Sequence, residues 1–246
     1  MRYTRYPTRR SAFYGYFPTG IKWLLVSNTA IFILTSLMPN SVYQNIKTLF
    51  AITPEAVLHN FFIWQPVTYL FLHGGIWHLI FNMLSLWMFG MQLETDWGTR
   101  QFLKYYFICG IGAGICIVAV NALVGDRYTP TLGASGAIMG VLLAFGVTYP
   151  NQRVLMNFLF PIKAKYLVMI YVVVELWMSF GPNTGVSSIA HLGGMLVGYV
   201  YLKAGWHAFH LPDVRGAYNQ WKIQRAKRKF QVYLRKHGRD RGPWVN

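Results

Sequence analysis

Apolar residues in this chain come in long runs, and the polar ones gather between them. Six runs stand at about 21–39, 76–93, 103–124, 134–149, 164–181 and 187–204. Each approaches the roughly 17–25 residues that carry a helix across a bilayer. The pattern predicts an all-α fold: a polytopic membrane protein of six transmembrane helices. The fourth run is short and opens on a stretch of small residues, 133–140. The sixth contains His191 and three glycines. The long connector 40–75 is itself apolar in clusters at 49–52, 61–64 and 69–72, with Lys47 and Glu55 as its only charges. That predicts short amphipathic helices lying in the interface, with Trp and Tyr at aromatic-belt level.

The flanks read differently. Residues 1–20 form a basic N-terminal segment without an acid, 21–204 the six-span domain, and 205–246 a basic tail. Within the tail Ile223, Ala226, Phe230 and Tyr233 fall at helical spacing between lysines and arginines. A basic amphipathic helix on the anionic cytoplasmic leaflet is the expectation. The turn-rich loop 181–185 reads as a mobile lid. No small-residue cleavage site follows the first run, so a cleavable secretory signal is not expected.

Composition agrees with the pattern. Apolar residues make up 54% of 246 and charged ones 12%, against about a quarter in soluble domains. The net charge of +16 has a topological meaning. With six spans, all of the 23 lysines and arginines except Lys47 and Arg127 fall on the side of the two termini. By the positive-inside rule both termini are cytoplasmic. Basic residues that flank spans are not a folded nucleic-acid surface, so no nucleic-acid partner is expected. Cys109 and Cys116 share a helical face but stand about 10 Å apart along the axis, too far for a disulfide within one helix.

The candidate chemistry begins at Ser135, between Gly133 and Gly136. A serine needs a base and an oxyanion site to act as a nucleophile. Ala137 rules out the Gly-x-Ser-x-Gly elbow of soluble hydrolases, which also needs a preceding strand. A serine at a helix start can aim its own backbone N–H at an oxyanion. Ala190, Gly194 and Gly198 form a small-residue face on the sixth run, matching Gly136 and Gly140 on the fourth. Close packing of those faces brings His191 within reach of Ser135. His78 and Asn82, four apart, share one face of the second run. Glu175 is the one acid inside an apolar run, and its reading is balanced between a functional group and a structural hydrogen-bonding partner near the outer end.

These motifs together resemble the rhomboid family of intramembrane serine proteases. The resemblance rests on Gly133-Ala134-Ser135-Gly136 and on Ala190-His191 with Gly194 and Gly198. His73, His78, Asn82 and Met83, and Gly90 with Glu94 through Gly98, extend it. It implies a Ser135–His191 dyad without an acid, with His78, Asn82 and the Ser135 N–H stabilising the oxyanion. His73, Gly133, Gly136, Gly194, Gly198 and Met139 would support the site. It implies no cofactor and no metal. The substrates would be single-span membrane proteins cut near their outer end, and the location the bacterial inner membrane. Two positions depart from the family pattern. Gln65 follows Trp64 where arginine is frequent, and Met139 stands where tyrosine often packs on the histidine. The competing readings are an inactive rhomboid-like binding module, which typically lacks the serine or the histidine, and a proton-coupled transporter, which would show inverted repeats.

Overall fold

The computed structural model of the chain describes residues 17–124, 126–156, 160–180, 185–205 and 221–228. Each apolar run is a helix: α1 (Thr19–Ser36), α5 (Ile76–Trp97), α6 (Thr99–Val124), α7 (Ser135–Thr148), α8 (Ala164–Ser179) and α9 (Gly185–Ala204). The connector 40–75 carries three short helices, α2 (Asn40–Phe50), α3 (Pro54–Leu58) and α4 (Gln65–Thr68), with a 3-10 turn at Tyr69–Phe71. Between α7 and α8 the chain forms an antiparallel hairpin, β1 (Arg153–Met156) with β2 (Phe160–Lys163). The sequence pattern does not foretell that hairpin, because four residues a side leave too little alternation to read. The lid expected at 181–185 falls almost wholly outside the described residues, as does most of the basic N-terminal segment.

By length and composition α5 and α6 are able to cross a membrane, and α7 is a shorter apolar helix. Ile33 and Leu34 on α1, and Val173 and Trp177 on α8, point outward and are exposed. α7 is the centre of the bundle, in contact with α5, α6, α8 and α9. It buries Ala137, Ile138, Val141, Leu142, Ala144 and Phe145.

Small residues set how closely the helices approach. A Cβ on Gly194 of α9 would overlap the Gly136 carbonyl of α7, lying 2.7 Å from its carbon. A Cβ on Gly140 would lie 2.5 Å from the Cys109 sulfur of α6. The α7–α9 contact is therefore backbone on backbone at Gly136 and Gly194. Gly198 behaves differently from the expected shared face. It packs against Tyr105 and Cys109 of α6. Gly110 and Gly114 of α6 receive the connector: Leu70 sits over Gly110, and Ile52 over Gly114. Cys109 and Cys116 are both free thiols.

Two polar staples fix the ends of the bundle. The Glu94 carboxylate accepts the N–H groups of Gly20 and Ile21, each at 2.7 Å, and the Thr99 hydroxyl at 2.6 Å. It caps the start of α1, whose N-cap residue Pro18 offers no side-chain hydrogen bond. Gly98, at φ +81°, then turns the chain sharply into α6. At that end the Tyr149 hydroxyl donates to Asp96, tying α7 to α5.

At the opposite end Gln65 is fully buried. Its amide oxygen accepts from the Thr53 N–H at 3.1 Å, and its amide nitrogen donates to the Thr48 carbonyl at 3.1 Å. The Trp64 indole donates to the Leu49 carbonyl at 2.8 Å. The residue standing where the family often has arginine thus braces the connector internally.

The tail beyond Gly205 is a separate unit. Residues 221–228 form an exposed helix in which the Arg225 guanidinium lies 5.2 Å from the centre of the Trp221 ring. Ile223 and Ala226 lie on it, whereas Phe230 and Tyr233 fall outside the described residues.

Candidate active site

The turn before α7 is shaped by Gly133 and Tyr69. Gly133 sits at φ +124°, a conformation side chains rarely adopt, and its N–H donates to the Tyr69 carbonyl at 2.9 Å. The Tyr69 hydroxyl donates to the Gly110 carbonyl of α6 at 2.7 Å, so one residue ties the connector, α6 and the turn together. Ser135 is consequently the first residue of α7. The first turn of a helix has N–H groups without intrahelical acceptors, and no side chain caps them here.

The hydroxyl of Ser135 donates to His191 Nε2 across 2.8 Å, linking α7 to α9. On its far side the same imidazole reaches α8: His191 Nδ1 lies 2.8 Å from Glu175 Oε1. A carboxylate can only accept, so Nδ1 carries the proton and Nε2 is left as the acceptor for the serine. Both side chains are largely buried, at 17% exposure for His191 and 9% for Glu175. Ser188, a buried residue at the start of α9, is a second hydrogen-bonding partner of that carboxylate.

Around Ser135 lies a cavity of about 320 Å³ lined by His78, Asn82, Gly133, Met139, Tyr171 and His191, among others. The His78 ring rests directly on Gly133: a Cβ there would lie 2.7 Å from its Cε1. Asn82 donates one amide hydrogen to the His78 carbonyl at 2.8 Å, within its own helix. The second amide hydrogen remains for the cavity. His73 is buried and packs edge-on to His78, ring centres 5.1 Å apart. Burial, reinforced by His78, depresses the His73 imidazole to a pKa of about 4, so it stays neutral near pH 7.

The structure therefore gathers Ser135, His191, His78, Asn82, Gly133 and Met139 around one cavity, with His73 behind His78. Gly136 and Gly194 set the spacing beneath, and Gly198 lies apart against α6. The expected dyad without an acid meets a difference, since Glu175 stands against the histidine. The signal in the sequence was that lone acid at four-residue spacing from Tyr171. Spacing does not reveal which way α8 is rotated, and that rotation decides its partner.

Ser135, His191 and the buried Glu175 thus stand in hydrogen-bonded order beside the amide of Asn82 and the imidazole of His78. A family model described as Rhomboid domain matches residues 60–207, more than half of the sequence, and the chain belongs to the rhomboid family. It is 36% identical over 168 residues to the mitochondrial Rhomboid protein 1 of Saccharomyces cerevisiae, covering 65% of this chain and 45% of that protein. It is 28% identical over 183 residues to Rhomboid-like protease 3 of Toxoplasma gondii, covering 73% of this chain and 66% of that one. To Rhomboid protease GluP of Bacillus subtilis it is 34% identical over 137 residues, covering 55% and 25%. The chain thus spans between a quarter and two thirds of the length of these relatives.

Proposed function

We propose that the chain is an intramembrane serine endopeptidase that cleaves single-span membrane proteins within or near their transmembrane segment. The observation that carries this reading is the 2.8 Å contact between the Ser135 hydroxyl and His191 Nε2 at the cavity. Ser135 Oγ attacks the scissile carbonyl while His191 Nε2 takes its proton. The tetrahedral oxyanion forms beside the Ser135 N–H, the His78 ring and the free amide hydrogen of Asn82. Collapse expels the amine, which takes the proton from His191. Water activated by the same imidazole then attacks the acyl-enzyme carbonyl and releases Ser135. Each oxyanion donor in such a site is worth about 2.7–4 kcal/mol.

The proposed topology has six spans with both termini cytoplasmic. Lys22, Arg100, Arg153 and Lys163 lie at or near the bundle end stapled by Glu94 and Asp96, and Lys47 and Arg127 at the end holding Ser135. The positive-inside rule then turns the site outward. On this reading the basic tail rests on the anionic cytoplasmic leaflet, and the membrane is the bacterial inner membrane. The presence of both serine and histidine favours an active enzyme over an inactive binding module.

The test is cleavage of a tethered single-span reporter by the purified protein, together with labelling by a serine-reactive fluorophosphonate. Both signals should vanish in Ser135→Ala and in His191→Ala. Undiminished cleavage by Ser135→Ala would overturn the proposal.

A further inference from the structure

Glu175 stands out among the buried polar groups. α8 presents one narrow face to the bundle, with Ala164, Leu167 and Glu175 buried along it. Its neighbours Val173, Val174, Leu176 and Trp177 are exposed and apolar. An ionisable side chain on an apolar helix is costly unless it is paired. Glu175 is paired at the ring nitrogen that the serine does not use.

We propose that Glu175 is a positioning residue for His191, so that this chain works through a Ser135–His191–Glu175 relay. The inference rests on the protease reading above. The carboxylate accepts the Nδ1 proton, which keeps the lone pair on Nε2 facing Ser135 Oγ and fixes the plane of the ring. When Nε2 takes the serine proton, the imidazolium retains both of its N–H bonds. The one at Nδ1 remains hydrogen-bonded to Glu175, and the one at Nε2 goes to the leaving amine. Glu175 takes up no proton at any step. Ser188, on the helix that carries His191, also interacts with the carboxylate of α8.

A second observation supports an orienting role. Met139, one turn after Ser135, lines the cavity beside His191. Its flexible thioether packs against whatever is near but has no donor or acceptor that fixes a ring. Among the described residues, His191 hydrogen-bonds to Ser135 and to Glu175. The orienting group is then the carboxylate.

The experiment uses the full chain in detergent micelles and in vesicles, comparing wild type with Glu175→Gln, Glu175→Asp and Glu175→Leu. Reporter cleavage, fluorophosphonate labelling rate, thermal unfolding and 15N-histidine spectra are read together. Glu175→Gln and Glu175→Leu should lower kcat about 10⁴-fold, the size of carboxylate loss in serine hydrolases. KM and the unfolding temperature should change little. Glu175→Asp should recover part of kcat, and the Nδ1–H signal of neutral His191 should weaken in the leucine variant. Wild-type kcat in both Glu175→Gln and Glu175→Leu would overturn the inference. Activity lost only in step with folded protein, without rescue by aspartate, would make Glu175 structural and overturn it too. An inert wild type would instead refute the protease reading itself.

Discussion

The spacing of the proposed nucleophile and base depends on a backbone contact, and Gly194→Ala probes it. The added methyl would lie 2.7 Å from the carbonyl carbon and 3.3 Å from the Cα of Gly136, and would overlap the carbonyl oxygen. Carbon atoms in contact prefer about 3.5–4.0 Å, so α9 and α7 must separate by about 1 Å. Neither neighbour is a side chain that could swing aside. A Cβ on Gly136 would itself lie 3.1 Å from the Ala190 carbonyl oxygen and 2.7 Å from the Ala113 Cβ, so the α7 side is packed tightly as well.

Ser135 precedes Gly136 directly, and His191 lies one turn before Gly194. A 1 Å separation therefore stretches their 2.8 Å hydrogen bond to about 3.8 Å, outside hydrogen-bonding range. Misplacement of about 1 Å costs on the order of 10² in rate, and the overpacking itself about 1–3 kcal/mol of stability. Reporter cleavage and fluorophosphonate labelling should both fall about a hundredfold in Gly194→Ala. Gly75→Ala is the control, since a Cβ there meets nothing within 4 Å. Wild-type turnover in Gly194→Ala would refute the argument that this contact sets the serine–histidine distance.

Glu94→Ala removes the cap of α1 and leaves the Gly20 and Ile21 N–H groups and the Thr99 hydroxyl without their carboxylate. Thermal unfolding should show a loss of about 3 kcal/mol, while labelling of Ser135 well below the transition continues, because the staple lies at the other end of the bundle. His73 makes a pH prediction. Its folded pKa of about 4 lies below the ordinary 6.5, so between those values the unfolded chain binds more protons and stability falls as pH falls. The loss from pH 7 to 4 is on the order of 3 kcal/mol. It should shrink in His73→Phe when unfolding is followed across that range, and equal losses in both proteins would assign it to other groups.

The helices were legible because the chain segregates its apolar residues so strongly that run length alone marks them. The site was partly legible for a related reason. Ser135 and His191 each sit beside glycines at four-residue spacing, and such faces can only serve close approach. What the pattern could not carry was rotation about the helix axes. Glu175 reads identically whether it faces lipid, a neighbouring carbonyl or His191, and only the packing of α8 decides. Gly198 continues the Gly194 spacing, yet it meets Tyr105 and Cys109 of α6 rather than α7. Gln65 looked like the loss of an interfacial charge, whereas burial turns its amide into a brace with partners on both atoms. In each case long-range geometry overrode a local rule.

The length of α7 bears on how water and substrate meet. Fourteen residues rise about 21 Å, well short of a hydrocarbon core of about 30 Å. One end is tied at the level of Asp96 through Tyr149, the end placed inside by the charge distribution. With that end at the cytoplasmic interface, the other begins roughly 10 Å below the outer one, and that is where Ser135 stands. The short helix is tolerated because it is enclosed by α5, α6, α8 and α9, so its unpaired N–H groups face protein and the cavity rather than lipid. A serine at the end of a full-length span would lie at the membrane surface, where any exposed loop could reach it. Recessed on a shortened central helix, it faces the cavity, which on the proposed topology lies beneath that surface. On the proposed reading, the carbonyl it attacks is presented by a segment that enters the membrane and gives up its helical hydrogen bonds there. The choice of single-span membrane proteins as the proposed substrates follows from the length of α7 as much as from the chemistry at its tip.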